Sequence, residues 1–438
     1  MKKTMLLKTI TIGLLVIMPG IGGVFVYADT LYTLQQCKEL ALKNSLKIKS
    51  GELAVDASAE TKKAAFTAYF PKISAMGNYF KNSKDLFAME IPFMPGMSIS
   101  MLDRATVLAV TAMQPLFTGG RIINGNKLAD LGQQVEKKKL MLTKNEILLK
   151  TEEQYWLLVS LAEKIKTLDM YSSMLDDLFK QVSDAVKYGI LSRNDLLKVT
   201  VKRSELELNK QRIRNGKHLA GLAFCQLLGI AYEPDMEFTD SLAQVVNPQD
   251  YFVEHEQALK NRAEFALLQQ GVRAEKLQTA IKRGEYLPEI GIGASGFHLN
   301  AMNNGGVNNF AVFCSVSLPI SGWWEAAHTL KEKKLKEKMA ENNLKDTSEL
   351  LLLQMQKAWY ELTESYKEIS LADELVKQAE ENLKVSQDVY HQGVSTISDL
   401  LDAQILCQQA RVQNIDARAS NRAKLLNYLQ VTGRYETH

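Results

Sequence analysis

Cysteine, histidine and proline are scarce in this chain of 438 residues, and each scarcity argues against something. The four cysteines, Cys37, Cys225, Cys314 and Cys407, lie far apart and form no Cys-x-x-Cys. That argues against a metal site or a disulfide framework. Only Cys37 with Cys225 invites pairing, because both fall near helix ends that could meet at mid-height. The six histidines show no metal-ligand spacing. Thr118-Gly119-Gly120-Arg121 is too short for a phosphate loop and lacks its lysine. Neither an enzyme nor a bound cofactor is expected. Beyond Ala28 there is no apolar run of about 18 residues, which argues against a membrane-spanning helix. Residues 1–28 hold three lysines and no acid, so the remainder has as many basic as acidic side chains. A broad nucleic-acid-binding surface needs surplus positive charge and is not expected.

What is present begins with an export signal. Lys2, Lys3 and Lys8 flank a mostly apolar stretch, Leu6 to Val26, and Val26-Tyr27-Ala28 sets small residues at a cleavage site. Residues 1–28 are therefore read as a cleaved signal peptide, with a retained anchor as the alternative.

Apolar residues at three- and four-residue spacing then predict helices over Thr33–Ala68, Arg121–Tyr188, Arg193–Leu228, Pro248–Glu285, Trp323–His391 and Ile397–Val431. The third longest stretch is far behind Arg121–Tyr188 and Trp323–His391, which hold no proline and extend to roughly 100 Å each at about 1.5 Å per residue. No compact core accommodates that length. Two shorter segments laid end to end match one long one: Arg193–Leu228 with Pro248–Glu285, and Thr33–Ala68 with Ile397–Val431. The lysine-rich runs from Glu136 and from Lys331 read as solvated faces.

Between Pro71 and Pro115, and between Pro288 and Pro319, the period changes to two. In Asn309–Leu318, Phe310, Val312, Cys314, Val316 and Leu318 point one way and Asn309, Ala311, Phe313, Ser315 and Ser317 the other. In Glu289–Leu299, Ile290, Ile292 and Ala294 oppose Gly291, Gly293 and Ser295. Such alternation suits a membrane-barrel strand. Lys72–Phe80 and Ala105–Gln114 complete the set. A four-stranded sheet cannot close a useful barrel, and open edges are not viable in lipid. Assembly is required, and a trimer of twelve strands leaves an open duct.

The plan is written twice. Ala41-Leu42-Lys43-Asn44, Tyr69, Pro71 and Ile73 recur 217 positions later as Ala258-Leu259-Lys260-Asn261, Tyr286, Pro288 and Ile290. Pro115, Gly189, Ser192, Asp195, Leu196, Leu197 and Gly229 recur 204 positions later as Pro319, Gly393, Thr396, Asp399, Leu400, Leu401 and Gly433. The implied organisation is a first repeat over 29–230, with β-hairpin 72–114 and tip turn 188–192. A linker or equatorial segment covers 231–248. A second repeat covers 249–438, with β-hairpin 289–319 and tip turn 392–396.

These residues carry a resemblance. The Ala-Leu-Lys-Asn starts, the Tyr-x-Pro strand starts, Gln114-Pro115-Leu116-Phe117-Thr118-Gly119-Gly120-Arg121, and the duplicated tip segments from Tyr188 and Gly393 together resemble the TolC-like outer-membrane efflux and export ducts. The resemblance implies a mainly α chain with a transmembrane β-barrel portion: long antiparallel helices form a periplasmic α-barrel, and four strands per protomer build a trimeric 12-stranded barrel. It implies a homotrimer in outer-membrane lipid, with a large periplasmic portion. Its partners would be a periplasmic adaptor and an inner-membrane pump, in a tripartite efflux or type I secretion system. A periplasmic coiled-coil adaptor or scaffold is the alternative. The chain departs from the pattern at Pro319-Ile320-Ser321-Gly322-Trp323-Trp324, whose tryptophans suit either a membrane–water interface or packing below the barrel.

Four groups of site residues follow. Pro71, Pro115, Pro288 and Pro319 are expected at strand–helix junctions. Gly189, Ile190, Leu191 and Ser192, with Gly393, Val394, Ser395 and Thr396, are expected at adaptor-contacting tips. Asp399 and Asp402, three apart on one helix face, would form a ring of acids at a pore constriction under threefold symmetry. Asp399 also suits a helix N-terminus on its own. No metal ligands are expected.

Overall fold

The computed structural model describes residues 31–83, 87–90, 93, 98–101, 104–234, 236–301 and 306–435. The signal segment 1–28 lies outside them. The elements in chain order are β1 (Leu31–Tyr32), α1 (Leu34–Asn44), α2 (Leu46–Phe66), β2 (Lys72–Lys81), β3 (Phe87–Glu90), β4 (Ser98–Met101) and β5 (Arg104–Phe117). They continue with α3 (Arg121–Lys187), α4 (Arg193–Leu228), β6 (Glu237–Phe238), α5 (His255–Asn261), α6 (Ala263–Glu285), β7 (Glu289–Ala301), β8 (Val307–Ser317), α7 (Trp323–His391) and α8 (Ile397–Val431). No helix among the described residues is long and apolar enough to cross a membrane.

Helices α3 and α7 run for 67 and 69 residues without a break. The other two columns are jointed. Thr33–Ala68, expected as one helix, is divided at Ser45, whose hydroxyl accepts from the Ile48 amide. Pro248–Glu285 is divided as well. A short 3-10 turn, Pro248–Tyr251, precedes α5, and the chain turns extended at Arg262 before α6. Ala-Leu-Lys-Asn therefore ends a short helix in both halves and starts none.

The end-to-end pairing also differs from the one the lengths suggested. The Asn44 side chain donates to the Leu228 carbonyl, 2.9 Å away, so α1 and α2 meet the end of α4. Gly433, just beyond α8, lies against Arg262 and the Asn261 carbonyl. Thus α2 stands over α4, and α6 over α8, each pair within its own half. Gly229 and Gly433 end α4 and α8 at φ 68° and 69°, a left-handed turn that glycine adopts without a Cβ penalty.

Two cores run along the columns. The mid-height core gathers Tyr155, Phe224, Leu228, Met355, Leu362 and Tyr428, all almost fully buried. The segment after α4 wraps this core. There β6 pairs in parallel with β1, and the Tyr155 hydroxyl donates to Asp240 at 2.6 Å. Arg418 holds the Ala243 carbonyl at 3.0 Å and Asp373 at 2.8 Å. Cys37 and Cys225 both sit in this core as free thiols, and burial pushes the Cys37 thiol up to about 12. A lower core joins α3, α4, α7 and α8 through Leu168, Val182, Val199, Leu383, Leu400 and Cys407.

The chain leaves its flanks open. On α7, Leu335, Met339, Leu350, Leu353, Tyr360, Leu371 and Val385 are exposed along one side of the helix. Leu197, Val201, Leu208, Leu219 and Leu222 form a similar stripe on α4, and Leu46 and Leu53 are exposed on α2.

Candidate functional site

Strands β2, β5, β7 and β8 form one antiparallel sheet in that order, with β2 and β8 at its edges. Between β2 and β5, β3 pairs with β4 in a separate antiparallel hairpin. The register sorts the side chains of the four-stranded sheet, because directly opposed antiparallel residues share a face. Ile73, Ala112, Ala294 and Val312 make one cross-strand row; Ala75, Val110, Gly296 and Phe310 make the next. This face is apolar and open, with Ile73, Val312 and Phe310 about two-thirds or more exposed. The opposite face is mixed: Lys72, Ser74, Thr111 and Ser295 share it with Met113, Phe297 and Phe313, Thr111 and Ser295 share a hydrogen bond of 2.9 Å, and Phe313 closes over Gly293. The alternation read from Asn309–Leu318 and Glu289–Leu299 holds in this arrangement. A four-stranded sheet apolar on one face, whose edge strands β2 and β8 pair with no further strand among the described residues, sets aside a purely helical scaffold.

The prolines mark the passage from sheet to helix, with one exception. Pro71 and Pro288 immediately precede β2 and β7, and Pro319 opens a short 3-10 turn before α7. Pro115 lies inside β5. The strand continues to Phe117, with its register shifted between Pro115 and Phe117. The local irregularity accommodates a residue that has no N–H to give the ladder. Beyond it, Gly119 and Gly120 adopt φ 64° and 81° and turn the chain into α3. Gly119 touches Gly284 of α6 backbone to backbone: a Cβ on Gly284 would lie 2.5 Å from the Gly119 carbonyl oxygen. Arg121 and Glu289 close the same junction at 2.7 Å. The Trp323 indole donates to the Tyr286 carbonyl at 2.8 Å, whereas Trp324 is 81% exposed.

At the far end, the two helix turns share one geometry. Gly189 and Gly393 have φ 75° and 74°, and the Ile190 and Val394 amides reach back to the Ala185 and Val389 carbonyls at 2.8 and 3.1 Å. Ser192 and Thr396 then cap α4 and α8 through full capping boxes with Asp195 and Asp399. Ile190 and Val394 project, 75% and 76% exposed, while Leu191 turns back onto the lower core. Ser395 is half-buried.

The capping boxes give the acids an immediate structural role. The Asp399 carboxylate accepts from the Thr396 amide at 2.9 Å and from its hydroxyl at 2.7 Å. These bonds hold its carboxyl below the usual range. Asp195 does the same with Ser192. Asp402, one turn on, is exposed. Its counterpart in the other half, Lys198, donates to Ser398 at 2.8 Å and lies 3.6 Å from Asp195, joining the two tips. That cross-tip bond has no signal in the sequence beyond a lysine at 198 where the second tip has Asp402.

With this geometry in view, the comparisons are informative. The sequence model of the family described as Outer membrane efflux protein matches residues 255–434. A search of curated proteins returns no significant match. Among solved structures, the outer membrane protein VceC of Vibrio cholerae is 13% identical, at a TM-score of 0.77 over 91% of this chain and 96% of that one. The CmeC outer membrane channel of Campylobacter jejuni is 15% identical, at 0.75 over 92% and 86%. The MtrE outer membrane channel of Neisseria gonorrhoeae, in an open state, is 15% identical, at 0.74 over 92% and 89%. Residues 255–434 thus match the model of the outer membrane efflux protein family, and the described chain has the fold of these outer-membrane channels.

Proposed function

We propose that this chain is the protomer of an outer-membrane exit duct for efflux or export, three copies of which close into one channel. The observation that carries the reading is the four-stranded sheet, apolar on one face, whose edges β2 and β8 pair with no further strand among the described residues. In lipid each unsatisfied backbone group costs several kcal/mol, so the edges must pair with further copies. Three copies give twelve strands around a lumen lined by the Thr111–Ser295 face. The exposed stripes on α2, α4 and α7 then become the contacts between neighbours, and the helices make a tunnel below the membrane. The reading includes duplication of one ancestral half, export through the signal at 1–28, and outer-membrane residence with a large periplasmic part.

The tips Gly189–Ser192 and Gly393–Thr396 are the surfaces this reading assigns to a periplasmic adaptor, through which the duct would join an inner-membrane pump. Asp399 and Asp402 are its candidate constriction, with Asp402 the freer of the two because Asp399 already serves its capping box. The deciding measurement is the mass of the detergent-solubilised protein, combined with conductance in planar bilayers. Three chains and an ion-conducting pore are expected. A stable monomer, or a trimer that never conducts, would overturn the duct.

A further inference from the structure

A groove of about 770 Å³ lies between α2 and α3, directly below the sheet. Its side of the molecule is set by α3. Ile122 and Gly125 line a separate cavity with Lys72, Met113 and Glu289, whose register puts them on the Thr111–Ser295 face of the sheet. Ile123, Lys127, Asp130 and Gln134 lie around the helix from these and line the groove. The groove thus opens on the same side as the apolar sheet face.

Its upper wall is aromatic. The Phe66 ring packs 5.5 Å from Tyr69 and 5.6 Å from Phe70, and all three side chains are exposed. The lower wall is basic, with Lys62, Lys63 and Lys127 joined by Arg273 from α6. Asp130 binds Lys62 at 2.6 Å, and Glu60 binds Lys63 at 2.7 Å. The Asp130 carboxyl is held low, first by the Lys62 hydrogen bond and least by the charge of Arg273. Lys127 has no ion-pair partner among the described residues, so the groove keeps a surplus of positive charge.

We propose that this groove binds the phosphate of an anionic phospholipid in the membrane leaflet that meets the helices. The inference rests on the reading of the apolar sheet face as lipid-facing. Continuity with that face chooses the ligand. Acyl chains lie against the sheet, aromatic rings favour the headgroup level, and basic side chains just beyond it attract anionic lipid. Lysine and arginine give charge-assisted hydrogen bonds to phosphate oxygens. A free phosphate ion would leave the aromatic wall without a role.

The test is native mass spectrometry of the full detergent-solubilised protein with phosphatidylglycerol, phosphatidylcholine or inorganic phosphate at equal concentration. Phosphatidylglycerol should be retained roughly tenfold over phosphatidylcholine, since each basic group near the surface favours anionic lipid. Lys127→Gln with Arg273→Gln should abolish the preference, and Lys127→Arg with Arg273→Lys should keep it. Washing the wild-type protein at high salt before measurement should also weaken it. Equal retention of both lipids, a preference that survives the glutamine pair or the salt wash, or displacement of the lipid by inorganic phosphate would each overturn the site. Membrane residence is read separately, by whether the protein stays in carbonate-washed outer membrane. A protein that washes off yet prefers phosphatidylglycerol would refute the lipid-facing sheet and leave the groove's chemistry standing.

Discussion

Gly284→Ala sets two physical effects against each other at the junction of sheet and helix. Gly284 lies in the last turn of α6, and intrinsic propensity favours alanine over glycine in a helix by up to about 1 kcal/mol. Packing opposes it. The new methyl would sit 2.5 Å from the Gly119 carbonyl oxygen and 2.8 Å from Arg121 Cγ. The arginine side chain can shift, but the carbonyl belongs to a backbone turn already held at φ 64°. Overpacking of this kind costs about 1–3 kcal/mol, so the net effect is a loss of up to about 2 kcal/mol. Gly271→Ala is the internal control: it lies in the same helix, is exposed, and a Cβ there meets nothing within 4 Å. It should stabilise by a few tenths to about 1 kcal/mol. Thermal unfolding followed by helical circular dichroism should move Tm up for Gly271→Ala and down for Gly284→Ala, at about 2 °C per kcal/mol or less for a chain of this size. Equal upward shifts would refute the close approach of the two junctions.

Three further outcomes are expected at the tips. Asp402→Asn should reduce cation selectivity and divalent-ion block in planar bilayers without loosening the tip. An unchanged pore would remove Asp402 from the constriction. Ile190→Asp or Val394→Asp should abolish export in cells and leave the trimer in the membrane, whereas Leu191→Asp should also disturb the lower core on which that residue packs; full export with Val394→Asp would refute docking there. Asp195 and Asp399 have carboxyls depressed in the folded state, so their contribution is present above the ordinary carboxylate pKa of about 4 and disappears as pH falls through the lower folded value. Hydrogen exchange at the Ser192 and Thr396 turns should therefore be unchanged from pH 7 to 5 once corrected for intrinsic rates, and loosening in that interval would contradict the capping boxes.

The strands were legible because a two-residue period survives single substitutions; their order and register were not, because alternation fixes which residues share a face and not which partners they meet. The tips were legible because glycine with Ser or Thr three residues later is what a left-handed helix end followed by a capped start requires. The joints were not. Apolar spacing continues across Ser45 and Arg262, so periodicity alone extended one helix through each break. Length matching then paired α4 with α6, because arithmetic on lengths carries no contact information; the Asn44–Leu228 bond decides otherwise. The strand end at Pro115 was misplaced because a missing N–H marks either a strand terminus or an irregularity, and only the partner strand distinguishes them. The surplus charge below the sheet was invisible for a similar reason: Lys62, Lys127 and Arg273 come together from three helices.

The mid-height joints also set the mechanics of the molecule. Each half contains one unbroken beam, α3 or α7, beside a strut interrupted at Asn44 or Asn261. A beam resists bending along its whole length, while a strut divided at mid-height has no helix ladder across the joint and is held there by local contacts, Asn44 on Leu228 and Gly433 on Arg262, beside the buried core. The lower struts, α4 and α8, are 36 and 35 residues long, about 54 Å of lever at 1.5 Å per residue. A tilt of about 5° at the joint would carry a tip sideways by about 5 Å. The joint thus works as a fulcrum: a displacement too small to disturb the mid-height core becomes, at the end of the lever, one as wide as a side chain.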